Sequence, residues 1–357
     1  VIAWHLAQEL QAAHHEVIGL VRATSDTQRI AELGVQLRVG DLRDEDHLYR
    51  AMQGCDAVVH LAGLTKAIDK RALYETNAAG TARLAQACSR LDTPPRLVYV
   101  SSLAAAGPSP FKQARNETDR PAPVSYYGSS KLAGEEALYP WAERLPCTVL
   151  RPPMVFGEGD PGMLAMFQAL VRSRVHVIPG FRRKRYSVIH AADFARFCQA
   201  SIDDGETLTS SFADGEGTYF VESDQRFTYA QLGWAMGRAL GHRLTLPLPL
   251  PSVAVYATGG FVDGVARLTG QAHYLSVDKA REATAGSWIC CADKATRQLK
   301  LPLPKICSMI SRPCCRNAVP SVLSRTDLPD IAVVAQSAAD VQAAMELSLS
   351  LGLPQLA

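Results

Sequence analysis

The sequence lacks a surplus of charge of either sign: 37 basic and 35 acidic residues among 357 leave a net charge of +2. There is thus no electrostatic reason to expect a nucleic-acid partner. It also lacks any C-x-x-C pair, and its nine cysteines are an odd number. Neither a disulfide framework nor a zinc or other metal site is expected, and a reducing, cytoplasmic setting follows. The opening Val-Ile-Ala-Trp-His has no basic start and no cleavage-type ending, so no secretory leader is expected. Long apolar runs are missing too. The best candidate, residues 244–262, is uncharged but interrupted by Pro247, Pro249 and Pro251 and loosened by Gly259 and Gly260. A spanning helix needs roughly 20 uninterrupted apolar residues. Membrane insertion is not expected, and the stretch reads as a buried loop followed by a core helix.

What is present is a globular composition, 47% hydrophobic and 20% charged, which excludes a largely disordered chain. Apolar residues at Ile2, Leu6 and Leu10 repeat as on one helix face. β-rich runs follow at 16–22, 35–42, 57–63, 96–102 and 147–153, several of them apolar nearly throughout, as in parallel strands covered on both faces. Helical patterns lie between them at 27–33, 44–52, 71–91 and 125–145. This alternation predicts a doubly wound α/β sheet with right-handed crossovers. Ligands in such sheets bind beyond the carboxyl ends of the strands. We divide the chain into a dinucleotide-type domain over 1–200, with 155–180 contributing to a smaller lobe, a mostly helical substrate lobe over 201–300, and a tail over 301–357. The start of that tail is cysteine-rich and has neither periodicity.

The strongest chemical constellation is Ser102 with Tyr127 and Lys131. Tyr127-Gly-Ser-Ser-Lys131 falls in a helical pattern, so tyrosine and lysine at i and i+4 share a face. A free tyrosine, with a pKa of about 10, is a poor acid or base at neutral pH. A neighbouring lysine cation would lower that value, and a serine at the end of an adjacent strand could hold a substrate oxygen. On spacing alone, an exposed helix pair is the commoner explanation of such a tyrosine and lysine.

Context changes the balance. The segments Val98-Tyr-Val-Ser-Ser-Leu-Ala-Ala-Ala-Gly-Pro108, Tyr126-Tyr-Gly-Ser-Ser-Lys-Leu-Ala-Gly-Glu135, Val149-Leu-Arg-Pro-Pro-Met-Val-Phe-Gly157 and Ser187-Val-Ile-His-Ala-Ala-Asp193 occur in order with natural spacing. Over roughly residues 1 to 300 the chain resembles the extended short-chain dehydrogenase/reductases, the NAD-dependent epimerase/dehydratase group. The resemblance implies a Rossmann-type sheet. It implies Tyr127 as the catalytic acid/base, Lys131 as its partner and a ribose ligand, and Ser102, rather than Ser101, as the hydroxyl that holds the substrate oxygen. Tyr126 is a decoy, because the fourth residue after it is Ser130. The resemblance also places Asn77 as a structural asparagine, Asp41 and Leu42 beside the adenine, and His60, Leu61, Ala62 and Gly63 along the cofactor. Pro153, Met154 and Val155 fall near the nicotinamide, and His190 in a helix-opening motif. A homodimer would follow the family.

In the family an acid at the end of the second strand would accept hydrogen bonds from the NAD ribose. Here Val21 stands there, followed by Arg22, whose guanidinium suits a 2′-phosphate. NADP(H) is therefore favoured over NAD(H), although a solvated strand end would also explain Arg22. Within Arg182-Arg-Lys-Arg185, Arg183 and Arg185 are candidate ligands of an anionic substrate, against the plainer reading of a solvated loop. Gly157-Glu-Gly-Asp-Pro-Gly162 imitates a dinucleotide fingerprint but opens no βαβ unit.

The family's first strand and its glycine-rich turn, which brings a helix N-terminus to the pyrophosphate, have no counterpart here, the third glycine corresponding to Ala3. The expectation is a chain truncated at its start, with two strands each missing a partner; a replacement strand at 330–335 is the weaker alternative. Residues 328–354 faintly resemble the opening of FAD-linked oxidases, suggesting a frameshift or fusion and no flavin activity. The reading is an oxidoreductase using NAD(P) on a carbinol or carbonyl carbon of a small substrate. Leu246-Pro-Leu-Pro-Leu-Pro251 and the spacing to Gly286-Ser-Trp-Ile289 look more like the 3β-hydroxysteroid dehydrogenase/dihydroflavonol reductase branch, which favours an apolar substrate. A nucleotide-sugar epimerase or dehydratase is the enzymatic alternative. A cofactor-impaired remnant without catalysis is the alternative from another class.

Overall fold

The computed structural model describes residues 1–305 apart from 26, 111–112 and 210–214. The expectations placed on the cysteine-rich segment, on 328–354 and on 330–335 lie outside the described residues. The first half alternates as expected: α1 (Ile2–Ala12), β1 (Ile18–Val21), α2 (Gln28–Ala31), β2 (Gln36–Val39), α3 (Glu45–Met52) and β3 (Ala57–His60). One long helix follows, in which α4 (Lys70–Tyr74) runs through a π-helical turn at Glu75–Ala79 into α5 (Gly80–Ser89). Then come β4 (Arg96–Val100), α6 (Leu103–Ala106), α7 (Tyr126–Glu136) and β5 (Cys147–Arg151). Helix starts are set locally. Asp44, for example, accepts the His47 amide at 2.9 Å to cap α3, and Glu45 and Asp46 in its first turn suit the positive end of the helix dipole.

The remaining elements are β6 (Met154–Phe156), α8 (Pro161–Ser173), β7 (Val175–Pro179), β8 (Arg185–His190), α9 (Ala191–Asp204), β9 (Thr218–Phe220) and β10 (Arg226–Thr228). They continue with α10 (Tyr229–Ala239), β11 (Leu246–Leu250), α11 (Ser252–Thr269), α12 (Val277–Ala285) and α13 (Asp293–Gln298).

All pairings in the main sheet are parallel, and they form two pieces, β2-β1 and β3-β4-β5-β9. No described strand bridges β1 and β3. The pieces share a core instead. Val17 and Val35, at the bases of β1 and β2, join Val59, Val98 and Leu150 in one buried cluster with Leu6 of α1 and Phe194 of α9. The opposite face of the sheet buries Leu20, Val58, Leu97 and Tyr99 under α3 and α5. Helices thus cover both faces, which is the doubly wound arrangement.

Two expectations change. Residues 218–220, assigned by sequence to the lobe, form β9 and pair with β5 in the main sheet, where Tyr219 and Phe220 are fully buried. The segment read as a buried loop and core helix is β11, a strand paired in parallel with β7, followed by α11, which buries only Gly259 and Ala266. Apolar composition there did not translate into burial, because α11 packs on α12 along one face only. No helix among the described residues is long and apolar enough to cross a membrane.

Candidate active site

His60 ends β3, Ser101 and Ser102 follow β4 and Arg151 ends β5, all at the carboxyl edge of the sheet. Directly after β4, Ser101 is buried and donates to the Glu135 carboxylate. Arg151, at the end of β5, grips that same carboxylate with Nε at 2.9 Å and Nη2 at 2.5 Å. Ser102 instead caps α6, its Oγ accepting the Ala104 amide at 3.1 Å. The two serines thus have different partners, Ser101 the Glu135 carboxylate and Ser102 the start of α6.

Helix α7 carries Tyr127 and Lys131. Ser125 caps it by accepting the Gly128 amide at 2.9 Å. Glycines at 128 and 134 let the helix lie tight against its neighbours, since a Cβ at the first would collide with the Ala104 carbonyl and at the second with the Tyr99 hydroxyl. Tyr126 is exposed, with Lys70 and Arg281 near its ring.

Lys131, expected to partner Tyr127, is held by other groups. Its Nζ turns into the sheet and donates to the Val100 carbonyl at 2.7 Å, 4.4 Å from the centre of the Tyr99 ring. Burial brings its pKa down to about 7, against an upward pull from Glu135. The cation beside Tyr127 is Lys279 of α12, its Nζ 4.4 Å from the ring centre. Burial raises the Tyr127 pKa, while Lys279 and the Ser102 hydroxyl pull it back. Burial would lower Lys279 itself, but Glu282 at 2.8 Å, Tyr127 and Asp278 outweigh it and hold the ammonium charged.

Helix α12 also completes the start of α7. Asp278 accepts the Tyr126 and Tyr127 amides at 2.7 and 3.1 Å, and Glu282 accepts the Ser125 hydroxyl at 2.5 Å. Sequence reasoning missed Asp278, Lys279 and Glu282. They lie about 150 residues from α7, in a segment without a recognisable motif.

Asn77 sits in the π-helical turn and ties three segments together. Its Oδ1 accepts the Leu64 amide at 2.7 Å, and its Nδ2 donates to the Leu64 carbonyl and to Ser130 Oγ, both at 2.9 Å. His60 ends β3 fully buried, its Nε2 2.9 Å from Thr81 Oγ1. Burial, with a further push from Lys131, lowers its pKa to about 3. Leu61, Ala62 and Gly63 follow; a Cβ at Gly63 would stand 3.3 Å from Lys131 Nζ.

Arg22, Asp41, Leu42 and Ala62 line one cavity with Glu75 and Thr76. Asp41 is held below the ordinary carboxylate range by hydrogen bonds from Arg43, chiefly to its guanidinium at 2.6 and 3.0 Å, against a smaller effect of burial. Arg22 keeps Nε and Nη2 buried without a hydrogen-bond partner among the described residues. A buried guanidinium edge facing a cavity is a ready receptor for an anion, so the donors present fit a dinucleotide, which carries anionic groups.

Pro153 is buried beyond the end of β5, and Met154 and Val155 begin β6, both half-buried. His190 caps α9 through Nδ1, 3.2 Å from the Ala192 amide. Arg183 and Arg185 are exposed around the start of β8. Among the described residues no hydrogen bond or ion pair joins either to Ser102, Tyr127 or Lys131.

The chain is similar to known proteins in sequence and in fold. Residues 1–211 match the sequence profile of the NAD dependent epimerase/dehydratase family. A ceramide reductase of Caulobacter vibrioides is 28% identical over 261 residues, covering 72% of this chain and 73% of the relative. A 2-alkyl-3-oxoalkanoate reductase of Shewanella oneidensis is 24% identical over 326 residues, 84% of this chain and 82% of the relative. Among solved structures, a UDP-glucuronic acid 4-epimerase of Bacillus cereus, in complex with UDP-glucuronic acid and NAD, superposes with a TM-score of 0.68 at 17% identity, covering 89% of this chain and 96% of that one.

Proposed function

The chain belongs to the NAD-dependent epimerase/dehydratase family, and from that premise we propose an NADP(H)-dependent reductase of a ketone on an apolar, lipid-like substrate. The observation that carries the reading is the Lys279 ammonium 4.4 Å from the centre of the Tyr127 ring, with Ser102 opening α6 just after β4. When bound, the nicotinamide supplies the hydride. Tyr127, kept as a phenol by burial, donates its proton to the substrate oxygen while Ser102 holds that oxygen by a hydrogen bond. Lys279 then stabilises the phenolate left behind. Asp41 and Leu42 would flank the adenine, and Arg22, with two donors unpaired among the described residues, would take a 2′-phosphate. His60, Leu61, Ala62 and Gly63 would run beside the cofactor, with Pro153, Met154 and Val155 near its nicotinamide. Lys131 would leave the Val100 carbonyl to reach a ribose hydroxyl. The names of the two relatives, both reductases, support an apolar carbonyl substrate.

A second reading is a nucleotide-sugar epimerase or dehydratase, favoured by the exposed Arg183 and Arg185, which suit a diphosphate. One experiment addresses both. The chain is titrated with NADPH and NADH by fluorescence, then assayed with a long-chain ketone and with a UDP-sugar, alongside Tyr127→Phe and the Arg183→Ala/Arg185→Ala pair. The reductase reading expects ketone turnover that falls about 10²- to 10⁴-fold in Tyr127→Phe and is indifferent to the arginine pair. Sugar turnover that depends on the arginines favours the epimerase. Failure to bind either nucleotide removes both and leaves a chain without catalysis.

A further inference from the structure

We propose that the lobe formed by residues 161–185 and 229–275 seats on the surface of an anionic lipid bilayer. The proposal stands independently of which substrate the site takes. Thirteen of the seventeen large apolar side chains that stand exposed on the described chain lie in these two segments. The same segments hold nine arginines and lysines against one acid, Asp263, leaving 28 of the 37 basic and 34 of the 35 acidic residues elsewhere. A nearly neutral chain thus concentrates its positive charge and its uncovered apolar surface in one lobe.

The apolar surface is built, not scattered. Strands β7 and β11 pair with Val177 opposite Leu248, so these side chains share a face, and both are exposed. The alternate face is covered by α10, where His176 stacks on Tyr229 at 5.0 Å. Helix α11 turns Gly259 and Ala266 inward and presents Val253, Phe261 and Leu268 on the opposite side, 80%, 74% and 89% exposed. Their spacing spans about 22 Å of helix. Phe181, 72% exposed, follows Gly180, whose amide donates to the Leu250 carbonyl at 2.8 Å, and so flanks the start of α11.

Charge sits beside this surface at each end. Arg182 adjoins Phe181, Arg243 adjoins Leu244, and Arg267 adjoins Leu268, all exposed. Asp263 is turned away and accepts the Val277 amide at 3.1 Å. Apolar side chains flanked by arginines suit the boundary between acyl chains and anionic headgroups. A second copy of the chain is a poorer occupant, because a two-fold contact would set the basic segments against themselves.

The test is sedimentation of the full chain with phosphatidylcholine vesicles and with vesicles that also contain phosphatidylglycerol. Binding is expected to the second and not the first, and to fall as salt is raised. Arg267→Ala should weaken it about fivefold, and Phe261→Ser about tenfold. Both positions are exposed, so thermal unfolding of each variant should match the parent and separates lost docking from lost fold. No binding to the anionic vesicles overturns the proposal, as does equal binding to neutral ones or binding that neither variant weakens. A concentration-dependent dimer that Phe261→Ser disperses would also overturn it, assigning the face to a second copy.

Discussion

The ammonium of Lys279 lies 4.4 Å from the centre of the Tyr127 ring, brought there by a helix about 150 residues further along the chain. Removing that charge leaves Tyr127 under the unopposed effect of burial, so its pKa must rise further. If Tyr127 is the acid/base we propose, kcat for alcohol oxidation in Lys279→Met should fall on the order of tenfold at neutral pH. The rising limb of its pH profile should move to higher pH, and Lys279→Arg should restore it. A profile that keeps its midpoint would reduce Lys279 to a prop for α12.

Arg22 offers buried donors to the cavity it shares with Asp41. Arg22→Ser should weaken NADPH binding roughly 10- to 100-fold, the scale of a charge-assisted hydrogen bond or two. NADH affinity should stay nearly unchanged. Fluorescence titration of both nucleotides measures the difference, and equal losses would place the guanidinium outside the 2′-phosphate site.

Glu135 and Arg151 form a fully buried pair at 2.5 Å, joined by the Ser101 hydroxyl. Glu135→Leu would strand the guanidinium in the core without its counter-ion. The expected loss is about 3–5 kcal/mol of folding stability, the usual consequence of breaking such a pair from one side. Urea unfolding reads it directly, and a loss under about 1 kcal/mol would contradict the placement.

His60 stays neutral in the folded chain down to about pH 3, whereas an unfolded histidine protonates near 6.5. Between those values the unfolded state binds the extra proton, so this residue makes stability fall as the pH falls. His60→Gln should flatten the decline between about pH 6.5 and 3. Unfolding midpoints across that range, compared with the parent, give the answer.

Much of this was legible in order along the chain. Period-two and period-3.6 patterns reflect local geometry, so the five parallel strands of the first 153 residues and the face shared by Tyr127 and Lys131 could be anticipated. Ser102 was separable from Ser101 only by resemblance; in the structure Glu135 separates them by claiming Ser101. What could not be read was contributed across distance. Lys279 belongs to the site because α12 folds back on α7, and no spacing near residue 279 announces that. The turn of Lys131 toward Val100 depends on a carbonyl in another element. Residues 244–262 misled for a related reason: an apolar stretch says what a segment could bury, not whether anything arrives to cover it.

The first turn of α7 has further reach. A helix start leaves amides unsatisfied, and here Asp278 receives two of them across sequence separations of 152 and 151 residues. Contacts of such separation carry a large loop-closure cost. The start of α7 therefore is not completed by its own neighbourhood alone. On the ribosome, the sheet and its serines can emerge and pair long before α12 is made, yet the tyrosine stays without its cation until then. The surroundings of Tyr127 are thus completed with the lobe, late in synthesis, so a partly made chain holds a sheet but not the charge beside this tyrosine.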